Sequence, residues 1–159
     1  MRLIYLLIVV TIGFSCNTRT NEKSPVQPDP KVPHLTPDPN IALKFTNEYA
    51  VLSSKGNSMD WIEGNRLLTA NFKSIYKNLL DSAIKADPEM GLGFDPVFNA
   101  QDYPDSFVIK NIDKDGFIIL QGKDWQNFLV MVKLVCEEKN WLVDGAGIIN
   151  IPASKQIGH

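Results

Sequence analysis

The chain has 159 residues, with 18 Asp and Glu against 16 Lys and Arg, and a formal charge of -2. Because roughly the first 40 residues are poor in packable sequence, there is room for one hydrophobic core but not for two. The charge balance offers no basic surface to a phosphate backbone, and Arg66 is the single arginine after Arg19. These features argue against nucleic acid as a partner and against bidentate recognition of phosphate.

Residues 1–15 have the order of a bacterial lipoprotein signal peptide. A positive Arg2 precedes an apolar run that is shorter than the roughly 20 residues of a permanent membrane span. Ser15 then places a small residue before Cys16, as lipidation requires, although Phe14 stands where a small residue is common. We predict that Cys16 carries lipid. The alternative is an ordinary signal peptide cleaved beside a chance cysteine.

Residues 16–40 are predicted to form a disordered, proline-rich tether. Six prolines lie among polar residues, and such a stretch buries too little apolar surface to offset its ordering entropy. A tether of this kind gives reach to a domain that lipid holds at the cell envelope. Because Asn17 is not the aspartate of an inner-membrane retention signal, we expect the outer membrane, facing the periplasm or the cell surface.

The globular domain is predicted over residues 41–152, beginning with helices. Apolar spacing indicates an amphipathic helix over 41–52 and a short turn after Ser58. A longer helix follows, with Thr69 as its N-terminal cap and Asp87 as its end, since Pro88 pushes the preceding residue out of the helical region.

The second half of the domain has the periodicity of strands. Four are predicted, over 107–112, 117–121, 128–136 and 141–151, with glycines near residue 146 bending the last one. The result is an α+β fold in which N-terminal helices pack on a curved antiparallel sheet of about four strands. Residues 153–159 are predicted to be a C-terminal tail.

Several motifs resemble the domain-of-unknown-function family numbered 3828, which is found in bacterial lipoproteins and periplasmic proteins. They are Asn57-Ser58-Met59-Asp60-Trp61, Asp87-Pro88, Gly93-Phe94-Asp95-Pro96, Gln101-Asp102-Tyr103-Pro104-Asp105 and Trp141-Leu142-Val143-Asp144-Gly145. That family is similar to the nuclear-transport-factor-2-like, cystatin-like superfamily. The resemblance implies a curved sheet that wraps helices around a cone-shaped pocket, and it implies no reaction.

The residue types that the predicted domain lacks restrict the reactions that it could catalyse and the metals that it could bind. His34 falls in the tether and His159 is the last residue, so the predicted domain lacks the usual general base and the usual zinc ligand. Cys136 is the single thiol besides Cys16, and we interpret it as a small buried hydrophobe, because Glu137 and Glu138 oppose thiolate formation. No cofactor motif is present.

Carboxylates remain as candidate functional groups on a loop between helices and strands. Asp95, Asp102 and Asp105 lie near Gln101 and Tyr103, so they could converge on a ligand or a partner. The alternatives are turn formation, which Asp-Pro and Pro-Asp pairs favour, and a metal site, although the spacing does not match a calcium loop.

Asp144 and Trp125 are separate candidates. Strand alternation puts Asp144 on the face opposite Trp141 and Val143. If that face is the concave one, partial desolvation would raise the pKa of Asp144 and suit it to be a catalytic base or a hydrogen-bonding anchor in a pocket. We prefer the alternative that Asp144 caps the glycine bend. Trp125 stands in a polar loop and is the better candidate for contact with another molecule, whereas Trp141 is predicted to be core.

Two functional classes follow from these observations. The favoured one is a noncatalytic binding module at the envelope for a small molecule, a cell-wall fragment or a protein, including an immunity or inhibitor role. The other is a carboxylate-based isomerase or hydrolase that uses a conical pocket. A curved sheet would also let two copies of the chain pair as a homodimer.

Overall fold

The computed structural model describes residues 36–56 and 58–159 of the chain. Three helices precede an antiparallel sheet whose strands lie in the order β1-β2-β3-β4, which confirms the predicted α+β class. None of the helices in this part of the chain has the length and apolar character needed to cross a membrane. The elements are α1 (Pro39–Ser53), α2 (Ser58–Gly64), α3 (Ala70–Ala86), β1 (Phe107–Ile112), β2 (Ile118–Gly122), β3 (Leu129–Glu137), β4 (Asn140–Ala146) and a 3-10 turn (Ala153–Lys155).

The helix ends follow the capping residues in the sequence. The Thr69 hydroxyl accepts a hydrogen bond from the Phe72 N–H at 3.0 Å, and the chain leaves α3 at Asp87, as predicted. Helix α1 begins at Pro39, two residues before the predicted start of the domain. Proline suits the first position of a helix because its missing N–H would have no partner there, and Asp38 caps the N-terminus.

The core lies between the helices and one face of the sheet. Along β2, Ile118 and Leu120 are fully buried while Ile119 between them is half-buried, which is the period of two that the strand pattern predicts. Aromatic rings from helices, loop and strands fill the layer between them, and the larger buried ones are Phe45, Tyr49, Phe72, Tyr76, Phe98, Phe107 and Phe128. Helix α1 therefore presents its apolar face to the sheet.

The free edge of the sheet begins at Phe107 and is tied to α1 by one side chain. The Asn47 Oδ1 accepts the Phe107 N–H at 2.7 Å, and the Asn47 Nδ2 donates to the Phe107 carbonyl at 3.3 Å. A side-chain amide thus takes the place of a neighbouring strand at the start of β1.

The outer end of the β3–β4 hairpin differs from the prediction. Cys136 is exposed and pairs in register with Trp141, which is half-buried and outside the core cluster. Burial falls along β3, from the buried Val130, Met131 and Val132 to the exposed Cys136 and Glu137. The predictions of a buried Cys136 and a core Trp141 were therefore wrong.

Strand β4 is shorter than predicted. It ends at Ala146 rather than continuing to Ile151, because Gly147 has a φ of 58° and turns the chain. A Cβ at Gly147 would collide with the carbonyls of Pro96 and Val97, so glycine here lets the loop before β1 approach the end of β4. The predicted glycine bend exists, but it terminates the strand instead of curving it.

Residues 153–159, the predicted C-terminal tail, pack against the rest of the domain. Lys155 pairs with the Asp113 carboxylate in the β1–β2 turn. The Asn99 amide donates to the Ile157 carbonyl at 2.9 Å, and the His159 ring stacks on Phe128 at 3.6 Å between ring centroids. Because these contacts involve ring stacking and long-range hydrogen bonds, the local sequence pattern carries no signal for them.

Candidate functional site

Two open pockets adjoin on the loop that connects α3 to β1. One has a volume of about 450 Å³ and the other of about 430 Å³, and both are lined by Phe94 and Gln101. We call them the Trp125 pocket and the Asp95 pocket. The Trp125 pocket is completed by Asn99, Ala100, Asp102, Trp125 and His159, and the Asp95 pocket by Tyr49, Ser53, Ser58, Tyr76, Leu80, Gly93, Asp95, Pro96 and Tyr103.

The five residues predicted to bind a ligand all line this pair of pockets. Asp95 and Tyr103 belong to the Asp95 pocket, Asp102 and Trp125 belong to the Trp125 pocket, and Gln101 borders both. The loop thus places Asp95 and Asp102 in adjoining pockets, although the two side chains make different contacts.

Asp95 organises the loop from the inside. Its Oδ1 accepts the N–H groups of Val97 and Phe98 at 2.9 and 3.2 Å, and its backbone pairs with Ala100 across the bend. Its Oδ2 accepts the Ser53 hydroxyl at 2.6 Å and the Tyr49 hydroxyl at 2.9 Å, both from α1. This carboxylate thus forms the turn, as an Asp before proline favours, and also fastens the loop to a helix.

A chain of hydroxyl groups continues from Asp95 into the core. The Tyr49 hydroxyl lies 3.2 Å from that of Tyr76, which in turn donates to the Ser58 hydroxyl at 3.0 Å. Burial raises the pKa of Asp95 above its ordinary value of 3.8, even though the Ser53 and Tyr49 hydroxyls and two backbone N–H groups donate to it. Burial, followed by the neighbouring Asp95 charge, also raises the pKa of Tyr49. Among the described residues, no lysine or arginine forms an ion pair with the Asp95 carboxylate.

The sequence pattern did not identify Ser53, Ser58 and Tyr76 as parts of this site. These residues come from α1, α2 and α3, so their meeting depends on how the helices pack. The available signal was weak: Tyr49 and Tyr76 are polar-tipped aromatics on otherwise apolar helix faces, where a buried hydroxyl needs a partner.

The Trp125 pocket combines aromatic faces with polar groups that remain accessible. Trp125 is 47% exposed, and its ring packs on Phe128 at 5.2 Å between centroids, which holds the indole in place. Asp102 and Gln101 are exposed, and the Gln101 amide donates to the Gly93 carbonyl at 3.2 Å. This surface can receive another molecule without rearrangement of the core.

The three loop aspartates do not converge. Asp95 turns toward α1, Asp102 lines the other pocket, and Asp105 lines neither. Within residues 36–56 and 58–159, no group of three or more His, Cys, Asp or Glu side chains is placed to hold a metal ion.

Asp144 lies on β4, shortly before the bend at Gly147, and its carboxylate is held as an anion. Its side chain accepts hydrogen bonds from Lys133 Nζ and Thr69 Oγ1, each at 2.8 Å, and from Asn150 Nδ2 at 2.7 Å and Asn71 Nδ2 at 3.3 Å. Burial by itself raises the pKa of Asp144, but the hydrogen bonds from Lys133, Thr69 and Asn71 and the charge of Lys133 together outweigh it and hold the pKa below 3.8.

The geometry of Asp144 therefore differs from that of a catalytic base. The predicted rise in pKa is wrong, because the Lys133 ammonium on the neighbouring strand β3 faces this carboxylate and stabilises its charged form. A register shift between Lys133 and Leu134 leaves Asp144 without a partner across the ladder, and its side chain joins β4 to β3, to the start of α3 and to the bend.

His159 joins the candidate site although the predicted domain contained no histidine. Its ring lines the Trp125 pocket, and its Nε2 lies 3.1 Å from the Leu129 carbonyl. Burial lowers the pKa of His159 below its ordinary value of 6.5, so the ring adds no positive charge to the pocket at neutral pH.

Searches against protein-family models, curated proteins and solved structures found no match to this chain. The resemblance to family 3828 therefore stays a prediction. Cys16, together with the predicted signal peptide and nearly all of the tether, lies outside the described residues.

Proposed function

We propose that the chain is a lipid-anchored protein of the bacterial cell envelope whose domain binds a small molecule or a cell-wall fragment without transforming it. The observation that carries this proposal is the contrast between saturated and accessible polar groups. The inward-facing carboxylates of Asp95 and Asp144 each accept four hydrogen bonds from the protein, whereas Gln101, Asp102 and Trp125 surround an open pocket.

Saturation matters because a carboxylate has about four lone-pair sites. A general base must keep one of them directed at the proton that it removes, within hydrogen-bonding reach of the substrate. Asp144 is further disqualified by its ion pair with Lys133, since a lowered pKa weakens a base. A pocket of about 450 Å³ is within the range of roughly 300–1,000 Å³ that small ligands occupy, which favours such a ligand over a protein partner.

An acid–base enzyme is the second candidate, and one observation favours it. Asp95 lines a pocket beside Tyr49 and Tyr76, and its raised pKa is of the kind found in general acids. Two of its partners are hydroxyl groups that could turn away and free one oxygen. This candidate predicts a chemical change in the ligand that Asp95→Asn abolishes.

Binding can be tested with the full-length chain in mild detergent and a digest of bacterial cell wall. We expect some fragments to be retained and recovered with unchanged mass, and Trp125→Ala to weaken their retention by about tenfold or more, as loss of an aromatic anchor does. Ser82→Ala, an exposed change on α3 outside every pocket described, is the control. Fragments recovered with altered mass would favour the enzyme instead.

The anchor is tested separately by growing cells with labelled fatty acid. We expect label on the wild-type chain and on Cys136→Ser, and none on Cys16→Ser, which should leave the membrane fraction. The control is well matched because these are the chain's two cysteines. A wild-type chain without label would refute lipidation and leave ligand binding to be judged on its own. Association with a protein or with a second copy remains a prediction.

A further inference from the structure

The charges around the candidate site restrict the chemistry of its ligand. Neither the Trp125 pocket nor the Asp95 pocket is lined by lysine or arginine, while each is lined by an aspartate. His159 carries no charge here at neutral pH. An anionic ligand would therefore lose its hydration without gaining a cationic partner.

Asp102 differs from Asp95 and Asp144, the two carboxylates that the domain turns inward. Asp95 and Asp144 are occupied by protein donors, whereas no hydrogen bond or ion pair within the described residues engages the Asp102 carboxylate. Its oxygens face solvent at the border of the pocket and remain available to a donor from another molecule.

Two aromatic side chains accompany that carboxylate. Phe94 and Trp125 line the same pocket, and Phe128 supports the Trp125 indole from behind at 5.2 Å between centroids. The negative face of an aromatic ring attracts cations, most strongly for tryptophan. An unpaired carboxylate beside such faces, with no protein cation to compete, has the chemistry of a site for a positively charged amine.

We propose that the Trp125 pocket selects a ligand bearing a free, protonated amine, with Asp102 accepting its N–H groups and Trp125 contacting its apolar face. This inference rests on the proposed binding function and adds its ligand class. A neutral sugar could also stack on Trp125, but it would leave the charge of Asp102 without a counterpart.

Two tetrasaccharides with the same backbone separate these cases: chitosan tetraose, which has free amines, and chitin tetraose, in which every amine is acetylated. Binding to the full-length chain in detergent is measured by calorimetry at about pH 6.5, which lies above the lowered pKa of His159 and below the pKa of about 7.7 of an ordinary α-amine. We expect chitosan tetraose to bind about tenfold more tightly, which corresponds to a contribution of roughly 1.4 kcal/mol from the Asp102 carboxylate.

Matched variants assign the preference to named residues. Asp102→Asn keeps the size of the side chain and should lower the affinity for chitosan tetraose to that for chitin tetraose, which it leaves unchanged. Asp105→Asn, an equally exposed aspartate outside both pockets, should preserve the tenfold preference. Trp125→Ala should lower the affinity for both tetrasaccharides.

The possible outcomes separate the inference from the proposed function. Equal affinity for the two tetrasaccharides, or tighter binding of the acetylated one, would overturn amine selection and leave a binding module for neutral sugars. A preference for chitosan tetraose that survives in Asp102→Asn would overturn the assigned site. Absence of binding to either ligand, together with no retention of cell-wall fragments, would overturn both proposals.

Discussion

Two aspartates at neighbouring bends show how the same side chain acquires opposite properties. Asp95 and Asp144 each accept four hydrogen bonds, and the bends they organise meet where the Ile148 N–H donates to the Pro96 carbonyl at 3.0 Å. Yet the pKa of Asp95 is raised and that of Asp144 is lowered. The difference lies in the balance between desolvation, which raises both pKa values, and the hydrogen-bonding partners, which lower them.

The partners of Asp95 are hydroxyl and backbone N–H groups, and their hydrogen bonds offset part but not all of the cost of desolvating its charge. Asp144 has an ammonium group 2.8 Å away at Lys133. The partners also differ in versatility, because a hydroxyl can accept as well as donate, whereas an ammonium or amide N–H can only donate. The number of hydrogen bonds therefore does not determine the charge state of a buried carboxylate; a nearby cation does.

Of the substitutions that this comparison suggests, we expect Asp144→Asn to have the largest effect on the free energy of unfolding. The new amide would direct N–H groups at Lys133 or at Asn71, which are donors themselves, and would leave the ammonium without its counterion. We expect a loss of about 3 kcal/mol in the free energy of unfolding, measured by urea denaturation.

Asp95→Asn is the matched control for that change. Its new amide N–H groups can donate to the Ser53 and Tyr49 hydroxyls, which reverse their roles, while the remaining oxygen still accepts from the loop backbone. We expect a loss of about 1 kcal/mol or less. Equal losses in the two variants would show that the versatility of the partners is unimportant.

The next effect is on the pH dependence of stability. A lowered pKa means that Asp144 stabilises the fold above pH 3.8 and that this stabilisation is lost as the pH falls through its folded pKa. A raised pKa means the reverse for Asp95: its favourable contribution is complete below pH 3.8 and is lost as the pH rises through its folded pKa.

Urea denaturation from about pH 2.5 to about pH 6.5 measures how the contribution of each carboxyl to stability changes with pH. Relative to the wild type, Asp144→Asn should become less destabilised as the pH falls below 3.8. Asp95→Asn should gain relative stability as the pH rises above 3.8. Parallel curves for the two variants would contradict the opposite shifts assigned to the two carboxyls.

The smallest effect concerns the hydroxyl chain. Tyr49→Phe removes a donor to Asp95 and should raise the pKa of that carboxyl further, with a loss of about 1 kcal/mol in stability. Tyr76→Phe removes a buried hydroxyl that touches Tyr49 but not Asp95, and is therefore the control. Carboxyl NMR titration measures both, and an equal rise in Tyr76→Phe would show that the direct hydrogen bond does not matter.

Local sequence signals were sufficient for much of the fold. The period of apolar residues, the cap at Thr69 and the stop before Pro88 predicted α3 and its ends, because these features act within a few residues of each other. Strand alternation and the Asp115-Gly116 turn likewise predicted the antiparallel sheet. For the candidate site, polar residues on a proline-broken loop identified Asp95, Gln101, Asp102 and Tyr103, and Trp125 followed from its polar surroundings.

The chemistry of the site depended on tertiary structure. No residue near Asp144 in the sequence predicts its contact with Lys133. The Lys133 ammonium reaches the carboxylate because β3 and β4 pair with a register shift. Nothing near Asp95 announces Tyr49, which arrives from a helix 46 positions earlier. Composition and periodicity determine which segments form helices and strands, since those depend on neighbours in the chain. Charge state and pocket lining depend on neighbours in space, so the packing of α1, the sheet and the last residues decided them.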